Sequence, residues 1–191
     1  VNPMNYMATI ENYAKKITNK TSALMPVHIY GLSCDMDPII NFAKKNKLKL
    51  IEDAAQAIGV KYNGKHCGTF GDTGVISFFA DKTIAMGEGG AILTNNKSIY
   101  KKLKLIRNQG RPNSGTFIHP EFGMNFRITD MQSAIGFAQL KNLKKKISNK
   151  VRLFERYKNN LKNCKNVEII NQPKYSNFAP FRFAFRSKKK K

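Results

Sequence analysis

Lys49-Leu50-Ile51-Glu52-Asp53-Ala54-Ala55-Gln56-Ala57 is the stretch whose reading decides the fold. It is continued by Phe70-Gly71-Asp72, Ser77-Phe78-Phe79-Ala80-Asp81-Lys82-Thr83 and Gly87-Glu88-Gly89-Gly90. An apolar run of strand length that ends in acids and then small residues reads as a buried strand delivering polar groups at its end. Val75 to Phe79 reads as a second such strand, followed by a lysine in a turn whose glycines let the backbone come close to something. Ligands of open α/β sheets sit outside such strand ends.

Upstream of this stretch, Ile10 to Ile17 has the spacing of a short amphipathic helix, and Asn19-Lys20-Thr21 reads as its closing turn. Ala23 to Ile29 is an apolar run of strand length. A helix is expected to start at Asp37-Pro38, with the aspartate capping and proline in the first turn. Leu48 to Glu52 is the next strand, so strand, helix and strand imply a right-handed parallel crossover. Downstream, Asn63-Gly64-Lys65 is a hairpin or loop signal, Gly90 to Thr94 is a strand, and Lys97 to Arg107 is a helix. From Asn108 to Arg127 the pattern is irregular, as functional or mobile segments are. Thr129 and Gln132 have capping-box spacing and open a helix to Leu140, continued after a break to Leu161. The lysines of that second helix read as the solvated face of a connector.

With 191 residues and 41% hydrophobic content, the chain can bury a full core. No apolar run reaches the roughly 20 residues of a membrane span, and no signal pattern opens the chain, so a soluble cytoplasmic protein is expected. It starts on Val1 in mid-pattern, which suggests an absent upstream portion. Cys34, Cys67 and Cys164 are too scattered for a disulfide framework or a metal cluster, and read as free thiols. The net charge of +22 is the footprint of nucleic-acid binding in some proteins. Here the lysines are dispersed among helical segments, so no nucleic-acid partner is expected, and the charge is read as steering anionic substrates.

Taken in order, the E-D-A-A-Q-A segment, F-G-D, S-F-x-x-x-K and G-E-G-G resemble the DegT/DnrJ/EryC1/StrS sugar aminotransferases, which use pyridoxal phosphate (PLP). Pro26-Val27-His28-Ile29-Tyr30-Gly31 is similar to another strand end of that family. The resemblance runs from about Val1 to about Leu161. It implies an α/β fold of three layers, α/β/α, around a mostly parallel sheet: the incomplete large domain of an aspartate aminotransferase-like (fold type I) protein. Residues 1–142 would belong to that domain, 143–163 to a connecting helix, and 164–191 to the start of a truncated small C-terminal domain. The implied reaction moves an amino group from an amino acid, usually glutamate, to a keto group of a nucleotide-linked deoxysugar, in amino-sugar synthesis for surface polysaccharide or glycan. The rival reading is a catalytically inactive fragment or basic binding module that retains the motifs.

The resemblance also distributes roles. Lys82 matches the family's Schiff-base lysine, which a partly desolvated amine can serve as; on the residues alone it is a loop lysine. Asp53 matches the carboxylate held against the cofactor's ring nitrogen, where it stabilises the pyridinium; the structural alternative is a cap for the Ala54-to-Ile58 turn. Gln56 resembles the residue packed near the ring, and Ser77 a hydroxyl donor to the cofactor phosphate; each also reads as an ordinary local polar contact. Asn125 resembles a residue that crosses to the PLP phosphate of a second subunit, which implies a homodimer with a shared active site; a simple loop turn explains it equally. His28, His119 and Arg127 are weaker substrate-side candidates, and a satisfied structural histidine is the competing view of His28. Gly87-Glu88-Gly89-Gly90 is not a nucleotide-binding P-loop, because no Gly-Lys-Ser/Thr follows.

Overall fold

The computed structural model describes residues 1–3, 5–113, 115 and 117–187, so the lysine-rich end Lys188 to Lys191 lies outside the described residues. In chain order the elements are α1 (Ile10–Ala14), β1 (Ala23–Leu24), α2 (Met36–Lys45), β2 (Lys49–Asp53), β3 (Lys61–Tyr62), β4 (Lys65–His66), β5 (Thr73–Ser77), β6 (Gly90–Leu93), α3 (Lys97–Arg107), α4 (Asp130–Lys141), α5 (Leu143–Leu161), β7 (Val167–Ile169) and β8 (Phe185–Ser187). The main sheet has the order β1-β2-β5-β6; β1, β2 and β5 are parallel and β6 is antiparallel. This is the mostly parallel α/β sheet expected from the strand-helix-strand pattern.

Several boundaries differ from the sequence reading, for local reasons. The Ala23–Ile29 run pairs as a strand only at Ala23 and Leu24, because Pro26 has no N–H to give to a ladder. The chain still follows β2: the Pro26 carbonyl accepts from Asp53 N, and His28 N donates to the Asp53 carbonyl, both at 2.9 Å. Helix α2 starts at Met36, ahead of Asp37-Pro38, and Asp35 holds the cap position. Asp35 does not cap the backbone; its carboxylate accepts from the Tyr62 hydroxyl at 2.8 Å. Strand β5 ends at Ser77 because the Ser77 hydroxyl accepts from Phe79 N and turns the chain. Helix α1 is shorter than its apolar spacing suggests, although Ile17 N still bonds the Tyr13 carbonyl.

Burial alternates along the central strands and sorts their residues into two faces. Leu50 and Glu52 of β2 and Gly74 and Ile76 of β5 are buried; Ile51 and Asp53, and Val75 and Ser77, are on the more open face. The buried face packs with Ile39 and Ala43 of α2 and with Ala54, Ala57 and Val60 of the following turn. The segment after α5 joins the same core through Ile170 and Ala179. It lies against Gly31, where an added Cβ would stand 2.0 Å from the Ala179 carbonyl oxygen; with φ of +86°, that position needs glycine. Among the described residues no helix is long and apolar enough to cross a membrane.

Candidate active site

The two neighbouring acids at the end of β2 face opposite ways. Glu52 is fully buried and its carboxylate is surrounded by donors: Phe70 N at 2.6 Å and Gly71 N at 2.7 Å on one oxygen, Gly68 N at 2.6 Å and His28 Nε2 at 3.1 Å on the other. Burial opposes the charge, but the His28 ring and the Gly71 and Gly68 amides outweigh it and hold the Glu52 carboxyl below its usual range. Cys34 N donates to His28 Nδ1 at 3.1 Å, so the ring proton sits on Nε2 and points at Glu52. This corrects the assignment of His28 to the substrate side: it is fully buried with both ring nitrogens engaged. The same cradle fixes Phe70-Gly71-Asp72, whose aspartate accepts from Leu50 N at 2.9 Å and pairs with Lys49 at 3.2 Å.

Asp53 is on the open face, and one of its oxygens accepts from Ala55 N at 3.0 Å. The other has no partner among the described residues. Asp53 is paired in register with Val75, and Ser77 lies two residues further along β5 on that same face. Gln56 spends its carbonyl on Tyr30 N at 2.9 Å. Lys82 follows in the loop after β5. Its ammonium is 3.7 Å from the Asp81 carboxylate and 4.7 Å from the centre of the Phe181 ring, with 15% of the side chain exposed. Gln139 of α4 clamps this loop with both amide atoms, accepting from Ala85 N at 3.2 Å and donating to the Ala85 carbonyl at 2.6 Å.

The remaining candidates are in the 108–127 loop. Asn125 is exposed and accepts from Arg127 Nε at 3.0 Å. Exposed His119 bonds the Gln109 carbonyl at 2.7 Å through Nδ1. Asn125 and Arg127 line a cavity of about 1070 Å³ along β6 and α3, with Val75, Ile92, Tyr100 and Ile128 among its walls; Asp53, Gln56, Ser77 and Lys82 are not among its lining residues. The structure therefore groups the sequence candidates in two sets: Asp53, Gln56, Ser77 and Lys82 around the ends of β2 and β5, and Asn125, Arg127 and His119 in the loop. Sequence reasoning missed Phe181, Arg182 and Lys150 near Lys82, and Gln139 beside its loop. No local pattern marks them, since their meeting depends on long-range packing; Asp81, next to Lys82 in the chain, stands within the motif but is given no role by it.

The DegT/DnrJ/EryC1/StrS aminotransferase family profile matches residues 1–191. The chain belongs to this family. It is 43% identical over 156 residues to GDP-perosamine synthase of Escherichia coli O157:H7, a match covering 82% of this chain and 43% of that protein. It is 42% identical over 139 residues to an Acidithiobacillus ferrooxidans protein named as a UDP-N-acetyl-3-dehydro-alpha-D-glucosamine 3-aminotransferase, over 72% of this chain and 37% of the relative. The crystal structure of DesV from S. venezuelae superimposes with a TM-score of 0.91 at 28% identity, over 96% of this chain and 49% of DesV. The chain thus spans less than half the length of these relatives, and its fold is that of the PLP-dependent aminotransferases of fold type I.

The residues present fit PLP, the family's cofactor. A carboxylate with a free oxygen and a strand-end hydroxyl share the open face of adjacent parallel strands, and a largely buried amine follows in the next loop. Ring nitrogen, phosphate and aldehyde are the three groups that such a set can receive.

Proposed function

We propose that the complete polypeptide transfers an amino group from an amino acid, glutamate, to a keto group of a nucleotide-linked deoxysugar. The observation that carries this reading is the shared open face of Asp53 and Ser77, with Lys82 in the loop that leaves β5. The names of the relatives, GDP-perosamine synthase and an aminotransferase of a UDP-linked dehydro sugar, support a nucleotide-sugar substrate. They also support a place in amino-sugar synthesis; that its product enters a surface polysaccharide or glycan is part of the proposal.

In this reading Asp53 binds the ring nitrogen and holds its proton, Ser77 donates its hydroxyl to the phosphate, and the free amide of Gln56 orients the ring. PLP supplies the electron sink that lets an amino group change owner. Lys82 Nζ takes a proton from the carbon that loses hydrogen and returns it on the other side, as general base and then general acid. Asn125, whose side chain among the described residues bonds Arg127, serves the phosphate site of a second copy, which makes the working unit a homodimer. Residues 1–142 form the cofactor-binding part, 143–163 the connector and 164–191 the start of a smaller domain.

The test is to mix the protein with PLP and record the near-visible absorbance. A band that is lost in Lys82→Ala is the expected result. No band in the complete polypeptide overturns the proposal.

A further inference from the structure

The lysines of α5 were read as a solvated face, and two of them are not. Lys150 Nζ donates to the Phe181 carbonyl at 3.3 Å and stands 5.6 Å from the centre of the Phe181 ring. The Arg182 guanidinium stands 5.0 Å from the same ring, and the Lys82 ammonium 4.7 Å. Lys146, one turn before Lys150, reaches back to Gln139 at 3.0 Å. Against these four cations stands Asp81, which bonds Arg182 at 2.6 Å and approaches Lys82. Among the described residues neither Lys146 nor Lys150 has a carboxylate within ion-pair distance.

Gathering four cations around one carboxylate costs free energy, and although Arg182 stays exposed, the cost is visible at Lys150. Burial first, and then repulsion from Arg182 and Lys146, push its ammonium below the usual lysine range against the pull of Asp81. An arrangement of this kind is stabilised by an incoming anion. We infer that Lys150 and Arg182, on the platform of the Phe181 ring beside Lys82, form an oxyanion subsite for the charged end of a substrate. Its ligand is a carboxylate or a phosphoryl group: the amino donor supplies the first, the nucleotide-linked sugar the second. The inference rests on Lys82 being the reacting amine, because that is what makes an anion site here a substrate site.

Calorimetric titration of the full chain with pyrophosphate and, separately, with glutarate tests it without PLP. At about 0.15 M ionic strength the Debye length is about 8 Å, so the general positive charge of the surface is screened. Saturable binding is expected, weakened about tenfold by Lys150→Gln or Arg182→Gln and kept within about threefold by Lys150→Arg. Lys144→Gln, an exposed position on the same helix, leaves it unchanged. Asp81→Asn strengthens it, because the carboxylate that competes for Arg182 is gone, an effect that a merely structural role would not produce. Tighter binding of glutarate assigns the site to the amino donor, and tighter binding of pyrophosphate to the nucleotide. If Lys144→Gln weakens binding as much as Lys150→Gln, or neither probe saturates by about 10 mM, the subsite does not exist. Neither probe carries an aldehyde, so a missing PLP band and a missing anion site are separate results.

Discussion

The end of β2 and the loop before α4 both carry candidate residues but are built in opposite ways. At Glu52 both carboxylate oxygens are met by donors of the chain, and the side chain is fully buried. Between Phe117 and Phe137 the apolar side chains stand outside: Phe117 and Phe122 are each 85% exposed, Phe126 and Phe137 each 62%. The first region holds its geometry through its own hydrogen bonds. The second leaves several large apolar side chains exposed, although its backbone is tied to α3 by the bonds from Met124 N to the Ile106 carbonyl and from Phe126 N to the Arg107 carbonyl. The motifs that can be completed locally are therefore the ones the chain presents fully formed.

The contrast can be tested from its strongest consequence downward. Lys82→Ala in the complete polypeptide lowers turnover by about a thousandfold, the size of a lost general acid-base group, measured as product formation with a keto sugar nucleotide. Glu52→Gln leaves donors facing an amide NH₂ and destabilises the fold by about 3 kcal/mol in urea unfolding. The same carboxyl gives a pH signature. Its pKa is lowered on folding, so its stabilisation is present above the unfolded value of about 4.3 and is lost as pH falls through the lower folded value. The chain therefore weakens in acid below about pH 4, and Glu52→Gln flattens that part of the curve.

Thr129→Ala removes the capping box of α4, where Thr129 and Gln132 exchange backbone bonds, at a cost of about 1 kcal/mol. Phe122→Ser changes the stability of the chain by no more than about 0.5 kcal/mol, as an exposed position does. If unfolding midpoints show Phe122→Ser to be as damaging as Glu52→Gln, the division between a self-sufficient region and an externally completed one is wrong.

The regular elements were legible where period and punctuation agree. Lys97–Arg107 is a helix over the span that its apolar spacing predicts, Asn63-Gly64 closes the β3–β4 hairpin, and Thr129 caps α4. They were misjudged where one residue overrides a pattern. Pro26 cut short a strand that its apolar neighbours suggested, and the bond from Phe79 N to the Ser77 hydroxyl ended β5 two residues early. His28 was readable as a contact or as a core residue, and only the position of Glu52 and Cys34 around it decides for the core.

By itself the sequence determined the succession of strand ends and the chemical groups they bear, because alternation and turn chemistry are written within a few neighbouring residues. Family membership follows from the same order of motifs. The tertiary structure decided which of two adjacent acids turns inward, and that Phe181, Arg182 and Lys150, far along the chain, come back to Lys82. Such meetings arise from the packing of α5 and the segment after it onto the core, and burial and charge compensation over those distances leave no periodic mark on the chain.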